Sequence, residues 1–307
     1  MPCYNPLKAY SNGLTPAGKA NLVFKYPANA SNPPETITLP CGQCIGCRLE
    51  RSRQWALRCL HEASLHEYNC FITLTYAEEH LPTRNSLKKS DFQKFMKRFR
   101  KLVFPLKVRY YMCGEYGDLK MRPHFHACIF GYDFPDKELW QTRDEIKLYR
   151  SPSLERLWPF GHSTIGEVTF DSAAYVARYV MKKITGKDAK EHYERIDPET
   201  GEVYSLLPEY TDMSRRPGIG KDWYDLYKGD LKKDFITHNG VKQTIPKYYD
   251  KLLERDDPSF LEMLKTHRKE NALKTFDDNM LGHRLADKEK LKLKKLKQLP
   301  RTLDNET

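Results

Sequence analysis

Two histidines one residue apart, His124 and His126, sit in the run Arg122-Pro123-His124-Phe125-His126-Ala127-Cys128-Ile129-Phe130-Gly131. In a strand both face one side and Phe125 the other, with the imidazoles about 7 Å apart along the chain, a spacing from which both can reach one metal ion. Upstream, Tyr110 to Glu115 reads as another strand and Tyr116 to Lys120 as a turn. A hairpin would therefore bring Glu115 beside the histidines as a third, oxygen ligand. Two half-buried strand histidines with ordinary hydrogen bonds are the competing reading.

Two further patterns carry chemistry. Asp171 is a good helix N-cap and Gly186 a good stop, so the segment between them reads as a helix. Tyr175 and Tyr179, four apart, share one face of it, with Lys182 and Lys183 a turn further on; two core tyrosines are the alternative. Cys41, Cys44 and Cys47 form a C-x2-C-x2-C cluster able to give tetrahedral thiolate ligands to a structural zinc ion, the fourth ligand coming from Cys3, Cys59 or His61. Reduced structural thiols are the other reading, and an iron–sulfur cluster would have no redox partner in the sequence.

The His124-Phe125-His126 triplet with its Tyr-x-x-x-Tyr-x-x-Lys helix resembles the rolling-circle replication initiators of the HUH endonuclease superfamily, in their two-tyrosine branch. The likeness is greatest to the replication-associated proteins of microviruses, the gokushovirus group above all. Phe71 to Tyr76 resembles that family's first motif, Arg122 to Gly131 its second and Tyr175 to Lys182 its third. They occur in the expected order over about 110 residues. Arg178 stands where related initiators carry lysine and keeps the charge.

The resemblance implies a metal-dependent DNA nickase and strand transferase. Mg²⁺ or Mn²⁺ would sit on His124, His126 and Glu115, and Tyr175 or Tyr179 would attack a phosphodiester to give a 5′-phosphotyrosine and a free 3′-hydroxyl. Lys182 would favour the phenolate, and the second tyrosine would rejoin the displaced strand into a circle. Arg178, Lys183, Arg215 and Arg216 would grip DNA phosphate. The implied partners are origin DNA, single-stranded or extruded as a hairpin, with a host helicase and the host DNA polymerase, in the bacterial host's cytoplasm.

The elements that must hold these residues read as strand, helix, three strands and helix between about 70 and 186. This is an α+β order: an antiparallel sheet flanked by helices, with the ferredoxin- or RRM-like core that the family implies. The tyrosine helix has to cross the sheet face bearing the histidines. Ser90 with Gln93 suggests a capping box opening the helix at 90, and Arg48 to about Glu67 reads as an amphipathic helix. Residues 1–47 are expected as an irregular arm with the cysteine cluster, 48–186 as the endonuclease core, 187–258 as its extension and 259–307 as a charged helical tail.

Across 307 residues, 52 basic against 41 acidic side chains leave a net charge of +11, suited to a polyanionic partner. No apolar run reaches the ~18 residues of a membrane span, and no signal-peptide pattern opens the chain, so no membrane partner is expected. Eight cysteines in such a chain argue against a disulfide framework. Two rivals remain: a non-haem iron oxygenase built on the same two histidines and carboxylate, and a non-enzymatic nucleic-acid-binding protein with a zinc module.

Overall fold

A computed structural model describes residues 3–16, 18, 20–26, 36–117, 121–143, 145–179, 188–274 and 282–297, with the backbone alone at 179, 188, 282 and 297. The chain begins with strands β1 (Leu7–Leu14), β2 (Ala20–Val23) and β3 (Thr36–Leu39), which form an antiparallel sheet in the order β2-β1-β3. The proline-rich stretch up to residue 40 was expected to be irregular. Its described prolines instead punctuate the strands: Pro6 precedes β1, Pro16 follows it and Pro40 closes β3, so none of them removes a ladder N–H within a strand.

Helix α1 (Ile45–Ala63) opens three residues before the expected Arg48, and β4 (Asn69–Tyr76) follows. Helix α2 (Lys89–Leu102) has Lys88 at its N-cap without a side-chain cap, so the expected Ser90–Gln93 box does not form. Ser90 lies one residue inside the helix, and its neighbour Asp91 turns into the core to accept the Tyr76 hydroxyl at 3.0 Å.

Strands β5 (Arg109–Tyr116) and β6 (Pro123–Phe130) form the expected pair. After them come β7 (Glu138–Arg143), β8 (Ile146–Arg150), α3 (Pro152–Leu157), β9 (Gly161–Gly166) and α4 (Phe170–Tyr179). The rest is α5 (Asp188–Tyr193), β10 (Glu194–Ile196), β11 (Val203–Ser205), β12 (Tyr210–Met213), α6 (Lys221–Tyr227), β13 (Ile236–His238), β14 (Val241–Gln243), α7 (Lys247–Asp256), α8 (Pro258–Leu273) and α9 (Gly282–Lys297).

The chain divides into two compact units, one of residues 1–51 and 265–299, the other built on Ser52–Leu264. The second contains a seven-stranded antiparallel sheet in the order β12-β5-β6-β4-β9-β8-β7, the α+β arrangement the sequence implied.

Both faces of its central strands are buried, which explains their near-continuous apolar runs. On one face Ile72, Leu74, Phe125, Ala127 and Ile129 pack with Phe92, Phe95 and Phe99 of α2 and with Trp158, whose indole N–H donates to the Thr75 carbonyl at 3.0 Å. On the other, Phe71, Tyr111, Cys113, Cys128 and Phe130 meet Ala56 and Cys59 of α1 and Ala173, Tyr175, Val176 and Ala177 of α4. The Ser52 hydroxyl of α1 donates to the Ala174 carbonyl of α4 at 2.9 Å, tying the two helices together. Among the described residues no helix is long and apolar enough to cross a membrane.

Candidate metal and tyrosine site

Strand register builds the site. Glu115 of β5 lies directly opposite His124 of β6, and Thr73 of β4 opposite His126. Directly opposed residues share a face, and two-residue spacing keeps His124 and His126 together, so all four point towards α4 and away from Phe125. The Glu115 Oε1 atom is 2.9 Å from both His124 Nε2 and His126 Nε2. Glu115 and His126 are buried, and the His124 side chain is 13% exposed, so the group opens to solvent at one edge.

Outer partners orient the rings. His124 Nδ1 lies 3.1 Å from the Arg122 carbonyl, which can only accept, so that nitrogen carries the proton and Nε2 is the inward atom. His126 Nδ1 lies 2.9 Å from the Thr73 hydroxyl. Arg122 is itself anchored, donating to the Tyr76 carbonyl at 2.9 Å and to Glu78 at 2.7 Å.

Burial pushes the Glu115 carboxyl pKa up, but hydrogen bonds and charge from His124 and then His126 outweigh it and hold the value at about 2. A neutral His124 would aim its Nε2 lone pair at a carboxylate oxygen, a contact that a proton or a cation must bridge. With the donor atoms of Glu115, His124 and His126 all within 4.8 Å of one another, the set fits one divalent ion and leaves coordination positions for other ligands.

Helix α4 brings Tyr175 to this group. It is capped by Thr169 rather than by the expected Asp171: the Thr169 Oγ1 accepts the Ser172 N–H at 3.1 Å, and Ser172 Oγ accepts the Thr169 N–H at 2.8 Å. This reciprocal pair closes the turn that leads from β9, which ends at Gly166, into α4. Tyr175 then lies edge-on to His126, ring centroids 5.1 Å apart, with Phe71 at 6.4 Å on another side. The Arg178 guanidinium carbon lies 5.9 Å from the centre of the Tyr175 ring.

Tyr179 is the last described residue of α4, known by its backbone only, while Lys182, Lys183 and the expected stop at Gly186 lie outside the described residues. Arg215 and Arg216 are exposed in the loop after β12, where Arg215 pairs with Asp212 at 2.9 Å. Ser214 bonds to Tyr110 near the start of β5, five residues along that strand from Glu115.

Cys41, Cys44 and Cys47 also come together, and the residue that joins them is Cys3 rather than Cys59 or His61. Cys59 is buried against the sheet, and the His61 Nδ1 lies 2.8 Å from the Tyr249 hydroxyl. Thr73, part of the Phe71–Tyr76 motif, has no role legible in the sequence beyond its alternation with Thr75, which places both on the histidine face.

A family model described as Replication-associated protein ORF2/G2P matches residues 69–184, the span from β4 through the tyrosine segment. Over 99% of its length the chain is 33% identical to Replication-associated protein ORF2 of Spiroplasma virus 4, covering 98% of that protein. It is also 33% identical to Replication-associated protein VP4 of Bdellovibrio phage phiMH2K, over 84% of this chain and 79% of that one. With Replication-associated protein ORF4 of Chlamydia phage 1 it shares 31% identity over 72% of its length, covering 54% of that protein. No solved structure matches the chain.

Proposed function

Because this chain belongs to the family of phage replication-associated proteins, we propose that it initiates rolling-circle replication by nicking origin DNA through a tyrosine and later rejoining the displaced strand. The observation that carries the reading is the Tyr175 ring lying edge-on to His126, 5.1 Å away, on the face where Glu115, His124 and His126 converge. A core tyrosine had no need to sit against a buried imidazole–carboxylate group.

In this reading Glu115, His124 and His126 hold a divalent cation, Mn²⁺ or Mg²⁺, which when bound supplies Lewis-acid polarisation of the scissile phosphate. Thr73 and the Arg122 carbonyl keep the two imidazoles turned inward. The Tyr175 oxygen attacks phosphorus; its bond to phosphorus forms as the bond to the 3′-oxygen breaks, and the phenol's proton ends on the released 3′-hydroxyl. A phenol of pKa about 10 is a weak nucleophile at neutral pH, so positive charge from Arg178 and Lys182 favours the phenolate.

The 5′-phosphotyrosine conserves the phosphodiester's energy. Tyr179, one turn along α4, carries the second transfer, and attack by the new 3′-hydroxyl closes a single-stranded circle. The target strand must be unpaired to reach the site, so the substrate is a single-stranded or hairpin-extruded origin. The sequence holds no P-loop, so unwinding falls to a host helicase, with synthesis by the host polymerase in the bacterial cytoplasm. Exposed Arg215 and Arg216, with Lys183, add phosphate contacts along the strand.

The test is incubation with single-stranded origin DNA and Mn²⁺, read on a denaturing gel. A covalent protein–DNA adduct is expected, reduced in Tyr175→Phe and absent from Tyr175→Phe/Tyr179→Phe and from His126→Ala. DNA bound but never joined to the wild-type protein would favour a non-enzymatic binding protein. An adduct that persists in the double variant would overturn the tyrosine assignment.

A further inference from the structure

We propose that Cys3, Cys41, Cys44 and Cys47 form a closed tetrathiolate zinc site, with Cys3 as its fourth ligand, and that this ion takes the place of a core in the unit that contains them. Their four Sγ atoms lie within 4.8 Å of one another, and those of Cys3 and Cys44 are 3.8 Å apart. Thiolates at the ~2.3 Å zinc–sulfur distance of a regular tetrahedron stand about 3.8 Å from each other. A disulfide would need sulfurs about 2.0 Å apart, and the cysteines are free thiols. An iron–sulfur cluster, which divides four thiolates between two or four irons, would spread the sulfurs further than one ion does.

The backbone is arranged for thiolates. The N–H groups of Tyr4, Cys41, Gln43 and Cys44 donate to Cys44, Cys3, Cys41 and Cys41 respectively, at 3.2 to 3.4 Å. Gly42 supplies the left-handed turn, φ +73°, that folds the chain back between Cys41 and Cys44. Sulfur ligands select zinc over the hard cations suited to oxygen donors, so this site and the Glu115 group draw on different metals.

Among its described residues the unit has little else to hold it. Its buried cluster is Tyr4, Cys44 and Leu285, with Cys3, Cys41, Ile45 and Cys47 packed around them, while Leu14, Phe24 and Tyr26 are more than half exposed. A core this small cannot sustain an independent fold without a staple, whether disulfide or metal. Cys3 precedes β1 and Cys41 follows β3, so one ion pins both ends of the segment carrying the three strands. For such a site, metal binding and folding are one equilibrium.

The test uses full-length protein purified under reducing conditions with zinc, with metal content measured and an organomercurial titrated in to consume thiolates. One zinc per chain is expected, released as four thiols react and kept in His126→Ala. Cys3→Ser should hold zinc more weakly by a larger factor than the ~10–100-fold that a lost outer-shell partner costs. Wild-type protein without zinc, with iron instead, or with zinc the mercurial does not release would overturn the proposal without touching the nicking mechanism. So would equal zinc retention by Cys3→Ser.

Discussion

The two groups of metal donors among the described residues each keep their ligand atoms within 4.8 Å of one another, yet they are built in opposite ways. Glu115, His124 and His126 come from adjacent strands, and their outer partners are side chains and a carbonyl fixed by sheet register. The four cysteines come from turns and a helix start, and their partners are backbone N–H groups. Three oxygen and nitrogen donors leave positions for a substrate, whereas four thiolates fill a tetrahedron. A rigid sheet holding an incomplete ligand set suits chemistry, and flexible turns gathered on a complete set suit a staple.

The contrast breaks first if the two sites respond to the same mutation. Glu115→Ala should lower nicking by on the order of 10³-fold, because it removes a ligand from an ion expected to contribute several kcal/mol to the reaction. The thiolate-held zinc should stay at one per chain in the same preparation. Nicking rate and mercurial-releasable zinc, measured side by side, decide this; loss of both would mean that Glu115 supports the fold at large and not one site.

How far each site could be read from the sequence follows the same division. Period-two alternation placed both histidines on one face, and the short turn after Tyr116 placed Glu115 beside them, because those relations are local. Thr73 could not be given its role, since β4 lies more than 50 residues before His126 and its pairing with β6 is a tertiary outcome. Cys3 lies 38 residues from Cys41, and sequence left it level with Cys59 and His61 for the same reason. Misread boundaries had local causes: Thr169 and Asp171 are both good caps, and the proximity of Ser172 to Thr169 decided between them. The N-terminal arm, expected to be irregular, carries three strands whose ends Pro6, Pro16 and Pro40 mark.

Thr73→Val tests the outer shell of the open site alone. It keeps the β-branched shape of the strand residue but removes the oxygen 2.9 Å from His126 Nδ1, releasing the ring from one orientation. The expected result is a ~10–100-fold weaker affinity for Mn²⁺, measured by titration calorimetry on zinc-replete protein, with melting temperature and zinc content little changed. Unchanged Mn²⁺ affinity would mean that the imidazole is oriented by its ring contacts with Phe71 and Tyr175 instead.

Acid should separate the two donor sets by a smaller margin. Thiolates lose zinc on acidification because sulfur is protonated, whereas Glu115 resists protonation. Its carboxyl falls from an ordinary 4.5 to about 2 in the folded chain because His124 and His126 outweigh the effect of burial. A folded-state value below the unfolded one adds stability that is whole above pH ~4.5, fades as the pH falls and is gone near pH ~2, with a slope of at most about 1.4 kcal/mol per pH unit. In urea unfolding of metal-free protein from pH 5 to 3, wild type should therefore lose stability more steeply than Glu115→Gln, which keeps the shape and cannot titrate. Parallel slopes would show that the histidines do not stabilise the carboxylate without metal, and the proton-or-cation bridge inferred at Glu115 would then have to be a cation.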